Sequence, residues 1–318
     1  MPPPSPHHRR GVALCVFSAC GFGALAIFAK EAFGAGVTVV TLLSLRFILA
    51  AALFWVIVTV RGARLPSRRV LLTSLALGAA GYAVQAGLYF GALTRIDASL
   101  TSLLLYIYPV LVFVGALALG RERASRRRLG ALGLATAGTV LVLLGGSVGA
   151  IDGLGVAMAL GAAVVYATYI LVADRVVAQV DPFMLSALIC TGAAVAVSAA
   201  GLVDGSLDMT FGAAGWGWIA AVACGSTVLA VSAFFLGLRD VGPATASIVS
   251  TAEPAVTVGL ATVIYSEALG AGQLVGGALV LVAVIILQLR GTGTVSSHDA
   301  ADPAPAAAPA RAIAREPA

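Results

Sequence analysis

Ten apolar segments, each about the length of a membrane-crossing helix, dominate this sequence. Such a helix needs about 20 mostly apolar residues, and charged or Pro/Gly-rich breaks separate one segment from the next. The predicted spans are residues 11–29, 38–60, 70–93, 98–119, 129–146, 153–173, 182–203, 213–237, 243–266 and 270–289. Because 60% of the residues are hydrophobic and 10% are charged, we predict an all-α membrane protein whose main partner is the lipid bilayer.

Basic residues set the predicted orientation, because short loops rich in Lys and Arg stay in the cytoplasm. With the N-terminus inside, the outer loops hold only Lys30 and Arg95, whereas the inner loops hold most of the arginines, including those at 121–128. We therefore predict a multi-pass protein of the cell (inner) membrane with both termini cytoplasmic. This topology accounts for the basic balance, so we expect no nucleic-acid partner.

The two halves of the sequence resemble each other. Residues 92–122 align with residues 237–267 when they are shifted by 145 positions. The matched pairs include Leu93 with Leu238, Ser102 with Ser247, Pro109 with Pro254 and Glu122 with Glu267. The two glutamates fall at symmetric span ends on opposite faces of the membrane, and we interpret both as interfacial caps.

A unit of five spans is odd in number, so the second copy must enter the membrane upside down. Inverted repeats of this kind are typical of secondary transporters. We predict a first five-helix repeat at 1–147, an inverted second repeat at 148–290, and a disordered cytoplasmic tail at 291–318.

Over about residues 10–290 the chain resembles the EamA-like family of the drug/metabolite transporter superfamily. The residues that carry this resemblance are Tyr89-Phe90-Gly91-Ala92-Leu93, Ala98-Ser99-Leu100, Tyr108-Pro109, Glu253-Pro254, Gly120-Arg121-Glu122, Ser266-Glu267 and Arg46-Phe47. The resemblance implies ten helices, cytoplasmic termini and a central cavity formed by spans one to four and six to nine. It implies transport of a small solute without fixing which one.

Prolines interrupt the fourth and ninth spans about halfway along their lengths. Pro109 and Pro254 each remove a backbone donor, which frees the carbonyls of Leu105 and Ser250. A proline can simply bend a helix for packing, but its recurrence in both repeats also favours a hinge at each position.

Glu253 is the only carboxylate well inside a predicted span, and Arg46 is the only basic residue there. A charge at that depth costs several kcal/mol unless it is paired, hydrated or neutralised. Three roles remain open for Glu253: proton coupling, attraction of a cationic solute group, or an ion pair with Arg46.

Further polar and aromatic residues recur at helical spacing on the predicted inner faces. They predict a cavity lining suited to planar or amphipathic solutes. These candidate lining residues are Tyr82, Gln85, Tyr106, Tyr108, Tyr166, Tyr169, Thr227, Ser250 and Thr251. For each of them, packing between helices is the alternative interpretation.

These features predict a secondary transporter, an exporter, that moves an amino acid-like or amphipathic metabolite by alternating access. Protons are a candidate coupling ion, and the state is monomer or homodimer. We expect no enzyme, metal or cofactor, because every histidine (His7, His8 and His298) lies in a terminal segment. A channel and a non-transporting membrane scaffold are the rival interpretations.

Overall fold

The computed structural model describes residues 6–121, 125–144, 152–177 and 180–288. The helices are α1 Pro6–Gly23, α2 Leu25–Gly34, α3 Val39–Val60, α4 Arg68–Ala76, α5 Ala83–Leu93, α6 Ala98–Leu105, α7 Tyr108–Ala118, α8 Arg126–Leu144, α9 Gly153–Val177, α10 Pro182–Val203, α11 Ala213–Ala220, α12 Ala230–Ser250, α13 Glu253–Tyr265 and α14 Ala271–Gln288. Two π-helical segments, Leu77–Tyr82 and Ala221–Leu229, connect α4 to α5 and α11 to α12. The predicted repeat boundary at 147 and the tail at 291–318 lie outside the described residues.

Within the described ranges, nine helical stretches are long and apolar enough to cross a bilayer. They are His7–Gly34, Val39–Val60, Arg68–Leu93, Ala98–Ala118, Arg126–Leu144, Gly153–Ala173, Pro182–Val203, Ala213–Gly242 and Ile248–Tyr265. The shorter apolar helix α14 supplies the tenth span. The predicted all-α membrane fold is confirmed, and several spans consist of more than one helical segment.

Local signals in the sequence explain where spans begin. Thr38 precedes α3, and its hydroxyl accepts a hydrogen bond from the Thr41 backbone N–H at 3.2 Å. Asp181 precedes α10, and its carboxylate accepts from the N–H groups of Phe183 and Met184. Both side chains satisfy donors that the first turn of a helix leaves free.

The two repeats keep the same backbone irregularities. In the fourth span α6 ends at Leu105 and α7 begins at Tyr108, and in the ninth span α12 ends at Ser250 and α13 begins at Glu253. The corresponding ends are 145 residues apart, which is the shift that aligns the two sequences. The π-helical segments of the third and eighth spans also overlap under this shift, so the repeat is visible in the backbone as well as in the sequence.

Gly242 separates the eighth span from the ninth. Its φ of 79° and ψ of 165° are not helical, and only glycine adopts that region readily. A continuous run of helix is thereby divided into two spans with different directions.

Aromatic and aliphatic side chains from both repeats fill the core. Leu42 and Phe47 of the second span, Phe90 of the third and Ile219 of the eighth belong to one buried cluster. Spans five and ten, α8 and α14, pack closely against each other. A Cβ atom on Gly138 would lie only 2.6 Å from the carbonyl oxygen of Gly276. Such contacts between small residues are common where membrane helices cross.

Candidate functional site

The breaks in spans four and nine come just before their prolines. Pro109 and Pro254 each occupy the first turn of the helix that follows, a position where proline is tolerated. The residues before them close tight turns, with Ile107 N–H donating to Leu104 at 3.4 Å and Thr251 N–H to Ile248 at 3.2 Å. The two half-helices therefore meet at mid-span in each repeat.

A side chain at the break of span four donates a hydrogen bond to the backbone at the break of span nine. Pro254 leaves the carbonyl of Ser250 without a helical N–H, and the hydroxyl of Tyr106 donates a hydrogen bond to that carbonyl at 2.6 Å. Tyr106 is 3% exposed. A buried carbonyl at the break of one repeat is thus satisfied by a side chain at the break of the other.

Glu253 begins α13, directly after the second break. Its side chain is half-buried, and its carboxyl group lies next to the hydroxyl of Tyr106. The other tyrosines within electrostatic range of this carboxylate are Tyr82, Tyr89, Tyr108 and Tyr166. The only carboxylate well inside a predicted span therefore faces a cluster of phenol rings.

Five tyrosines form a continuous row, which we name the tyrosine belt: Tyr106, Tyr108, Tyr166, Tyr169 and Tyr82. Successive ring centroids are 5.7, 4.5, 6.1 and 6.3 Å apart along this order. The rings come from spans three, four and six, and such spacings are typical of favourable aromatic pairs. The structure thus brings together all five tyrosines that the sequence suggested as cavity lining.

Arg46 stands at the other end of the belt and is 2% exposed. Its Nη2 donates to the hydroxyl of Tyr82 at 2.9 Å, and its Nε donates to the hydroxyl of Thr227 at 3.0 Å. Tyr82 and Thr227 are 145 residues apart, so a single guanidinium bridges equivalent positions of the two repeats. The rings of Phe47 and Phe90 lie 5.2 and 5.3 Å from it, within the range of cation–π attraction.

Arg46 and Glu253 form no ion pair within the described part of the chain, where all ion pairs involve other residues. Each charge has its own polar neighbours, and both lie within electrostatic range of Tyr82 and Tyr89. The belt therefore has a carboxylate at one end and a guanidinium at the other, without direct contact between them.

Several polar groups around the belt have no hydrogen-bond partner among the described residues. They are the hydroxyls of Tyr89, Tyr108, Tyr166 and Tyr169 and the amide of Gln85, which is 7% exposed. Ser250 and Thr251 differ, because their hydroxyls donate back to the carbonyls of Ala246 and Ile248. The assignment of all these residues to a cavity stays a prediction, and Tyr108, Tyr166, Tyr169 and Gln85 are the members whose polar groups are not engaged in a hydrogen bond within the described residues.

A second polar cluster, the Glu267 cluster, joins α2, α6 and α13 at one end of the bundle. The carboxylate of Glu267 accepts from Lys30 Nζ at 2.8 Å and from the Ser99 hydroxyl at 2.7 Å. It also accepts from the backbone N–H groups of Ala98 and Ser99, so it caps α6. Beside it, the Tyr265 hydroxyl donates to Glu31 at 2.8 Å.

Sequence reasoning interpreted Glu267 as an interfacial cap but did not identify its partners, because they come from two other spans, the first and the fourth. Burial alone raises the pKa of the Glu267 carboxyl, but hydrogen bonds from Lys30 and Ser99 outweigh it, and the pKa is lowered below its ordinary value. The carboxylate therefore stays charged and holds the cluster together. Its repeat mate, Glu122, lies outside the described residues.

A bundle of two five-helix repeats, with charged and phenolic side chains between them at mid-span, defines a multi-pass membrane transporter. The model of the EamA-like transporter family matches residues 9–144 and again residues 153–289. The chain belongs to this family, and each repeat is one copy of its unit. No curated protein matches the sequence.

The fold is shared with solved structures. One crystal structure of a protein is similar with a TM-score of 0.63 and 19% sequence identity, over 87% of this chain and 96% of that chain. At this identity the likeness concerns the fold alone.

Proposed function

We propose that this protein is a secondary transporter that exports a small amphipathic or amino acid-like solute across the inner membrane by alternating access. The observation that carries the proposal is the set of unpartnered polar groups at mid-span, between two broken helices. None of these polar atoms is fully enclosed by protein, so in the interior of the bilayer they need water or a solute as a partner. A bound polar solute would supply the partners that the helices do not.

The charges at the two ends of the belt indicate how such a solute would lie. An amine fits beside Glu253, where the surrounding tyrosine faces attract cations. An acidic or hydrogen-bonding group fits towards Arg46, whose Nη1 has no hydrogen-bond partner among the described residues. The rings between them offer apolar contact, so the arrangement suits a molecule with a cationic head and a planar or apolar body.

Of the three roles left open for Glu253, we favour two that act together. A carboxylate at this depth needs a proton or a cation to offset its burial. A proton and a cationic solute therefore compete for the same group. Because binding of the proton releases the solute and binding of the solute releases the proton, this competition couples export of the solute to entry of protons.

The Glu267 cluster supports the alternating-access part of the proposal. With cytoplasmic termini, as the basic loops favour, this cluster lies at the outer face. There it links spans one and four of the first repeat to span nine of the second through direct hydrogen bonds. We propose that the cluster is the closed outer gate and that opening it exposes the belt to the outside.

The decisive experiment is flux in proteoliposomes loaded with small amines, zwitterions and amphipathic cations. A carrier saturates and shows counterflow of labelled solute against unlabelled solute, and an imposed pH gradient drives accumulation. Liposomes that contain heat-denatured protein provide the control. Saturable counterflow of at least one solute is the expected result.

The same assay distinguishes the rival functions. Flux that rises linearly with concentration and shows no counterflow would establish a channel. No flux across the whole panel, from protein that is inserted and folded, would favour a scaffold and contradict the transporter proposal.

A further inference from the structure

A groove of about 390 Å³ opens on the lateral surface of the bundle. One wall is formed by α4 and the first π-helical segment, and the other wall is formed by α9. Ala76 and Ala80 on one side face Thr168 and Val172 on the other. Ligand sites in proteins commonly have volumes of about 300–1,000 Å³, so the groove can hold a small molecule or part of a larger one.

The walls of this groove are apolar although two threonines line it. The hydroxyl of Thr73 donates to the carbonyl of Arg69 at 2.8 Å, and that of Thr168 donates to Val164 at 2.9 Å. Their methyl groups remain for contact with a ligand. Val164 is 53% exposed and Val172 is 49% exposed, so this side of the spans faces the hydrocarbon of the bilayer.

Tyr169 connects this groove to the tyrosine belt. It lines the groove, and on its other side it contacts Tyr82 and Tyr166 in the belt. Gly81 lies directly against it, because a Cβ atom there would be 2.8 Å from Cδ2 of Tyr169. A single aromatic side chain therefore separates the lipid-facing groove from the row of phenols that leads to Glu253.

We infer that the groove binds the hydrocarbon tail of an amphipathic amine that reaches the belt from within the bilayer. The inference rests on the proposed function and narrows its solute to a molecule that partitions into lipid. The tail lies against the small residues of the groove, and the ammonium head passes Tyr169 towards the carboxylate. Because the tail leaves water when the solute enters the bilayer, the protein has to supply polar partners only for the head.

A second lateral groove provides an internal control. It has a volume of about 330 Å³ and is lined by α3, by the same π-helical segment together with α5, and by α10. Ala79 lines it, next in the chain to Ala80 of the first groove. Only Val, Leu, Ala and Gly residues line it, and no tyrosine of the belt is among them. Substitutions at adjacent residues can therefore fill one groove or the other.

The test uses dodecylammonium that carries a terminal diazirine, added to the full-length protein in phospholipid vesicles. After illumination, we expect crosslinks within residues 73–81 and 164–172. Ala80→Trp, which fills the groove, should reduce these crosslinks about tenfold, equivalent to about 1.4 kcal/mol of binding. Ala79→Trp should leave them unchanged, and a matched thermal stability of both variants shows that folding is retained.

The outcomes are distinct. Equal labelling in wild type and Ala80→Trp, or labels spread over all lipid-facing helices, overturns the inference. So does labelling by a diazirine phosphatidylcholine that dodecylammonium does not displace, because the groove then holds bilayer lipid. Counterflow of methylammonium without groove labelling would overturn this inference but leave the proposed function. Groove labelling without counterflow of any solute would overturn the proposed function but leave the groove as a binding site.

Discussion

The breaks of the fourth and ninth spans have the same backbone but different chemistry. In both, a helix stops, two residues make a tight turn, and a new helix begins with a proline at its second residue. The residue before that proline is Tyr108 in the first repeat and Glu253 in the second. The two repeats therefore share the hinge-like geometry but differ in the side chain at this position, which is a neutral phenol in one and a carboxylate in the other.

The difference extends to the neighbouring residue. Tyr106 reaches across to the carbonyl of Ser250, whereas its repeat mate Thr251 donates to Ile248 in its own helix. The hydrogen bond from a side chain of one break to the backbone of the other thus runs in one direction only. In the proposed alternating-access mechanism, the shared backbone geometry would let the two repeats exchange conformations. The side chains are asymmetric, because Glu253 comes from the second repeat and Arg46 from the first.

Removal of the charge at the second break should have the largest effect on transport. We expect Glu253→Gln to lower pH-driven solute accumulation about 100-fold, equivalent to about 2.7 kcal/mol, because a neutral amide neither binds a proton nor attracts an amine. Tyr108→Phe, at the equivalent position of the first repeat, should change accumulation far less. Both rates are measured in proteoliposomes at matched protein content.

An alternative outcome would be informative for Arg46. If Glu253→Gln and Arg46→Leu each prevent stable insertion and the double variant restores it, the two charges stabilise each other structurally. We expect no such rescue, because Arg46 is already bonded to Tyr82 and Thr227.

The Glu267 cluster lies at the end of the ninth span, which contains the second break. Replacing Glu267 by Gln removes a charged acceptor and leaves Lys30 without its partner, so we expect the free energy of unfolding to fall by about 3 kcal/mol at neutral pH. Since the pKa of Glu267 is lowered in the folded protein, its contribution is complete above the ordinary carboxyl pKa. It is lost as the pH falls through the lower folded value.

Thermal unfolding at a series of pH values tests this contribution. The wild type should lose stability on acidification, and Glu267→Gln should lose less. Asp152→Asn provides the control at the same end of the bundle, because the Arg95–Asp152 ion pair is largely exposed. An identical acid response in wild type and Glu267→Gln would contradict the role given to the cluster.

The hydrogen bond between the breaks gives a smaller effect. Tyr106→Phe should lower the free energy of unfolding by about 2 kcal/mol, because the Ser250 carbonyl then lacks both its helical donor and its replacement. Tyr108→Phe removes a hydroxyl that has no hydrogen-bond partner in the described residues and should cost almost nothing. Chemical denaturation in detergent compares the pair, and equal losses would show that the hydroxyl of Tyr106 does not bridge the breaks.

Much of this architecture could be predicted from the sequence, because span lengths, proline positions and the 145-residue repeat can be identified along the chain without knowing which spans touch. The sequence also identified the tyrosines, since aromatic and polar residues on apolar helices are conspicuous. The partners of Arg46 and Glu267 could not be predicted, because they depend on which spans touch and at what depth. The π-helical segments have no sequence signal of this kind, and they shift the face on which Tyr82 and Thr227 lie.

The smallest expected effect concerns Thr251, the repeat mate of Tyr106. Its hydroxyl bonds the Ile248 carbonyl, which the Thr251 backbone N–H also contacts at 3.2 Å. Thr251→Val therefore leaves that carbonyl with a donor and keeps the shape of the side chain, so the free energy of unfolding should change by less than about 0.5 kcal/mol. A loss as large as that of Tyr106→Phe would mean that both breaks depend on their side chains equally, and the one-directional contact between the repeats would have to be abandoned.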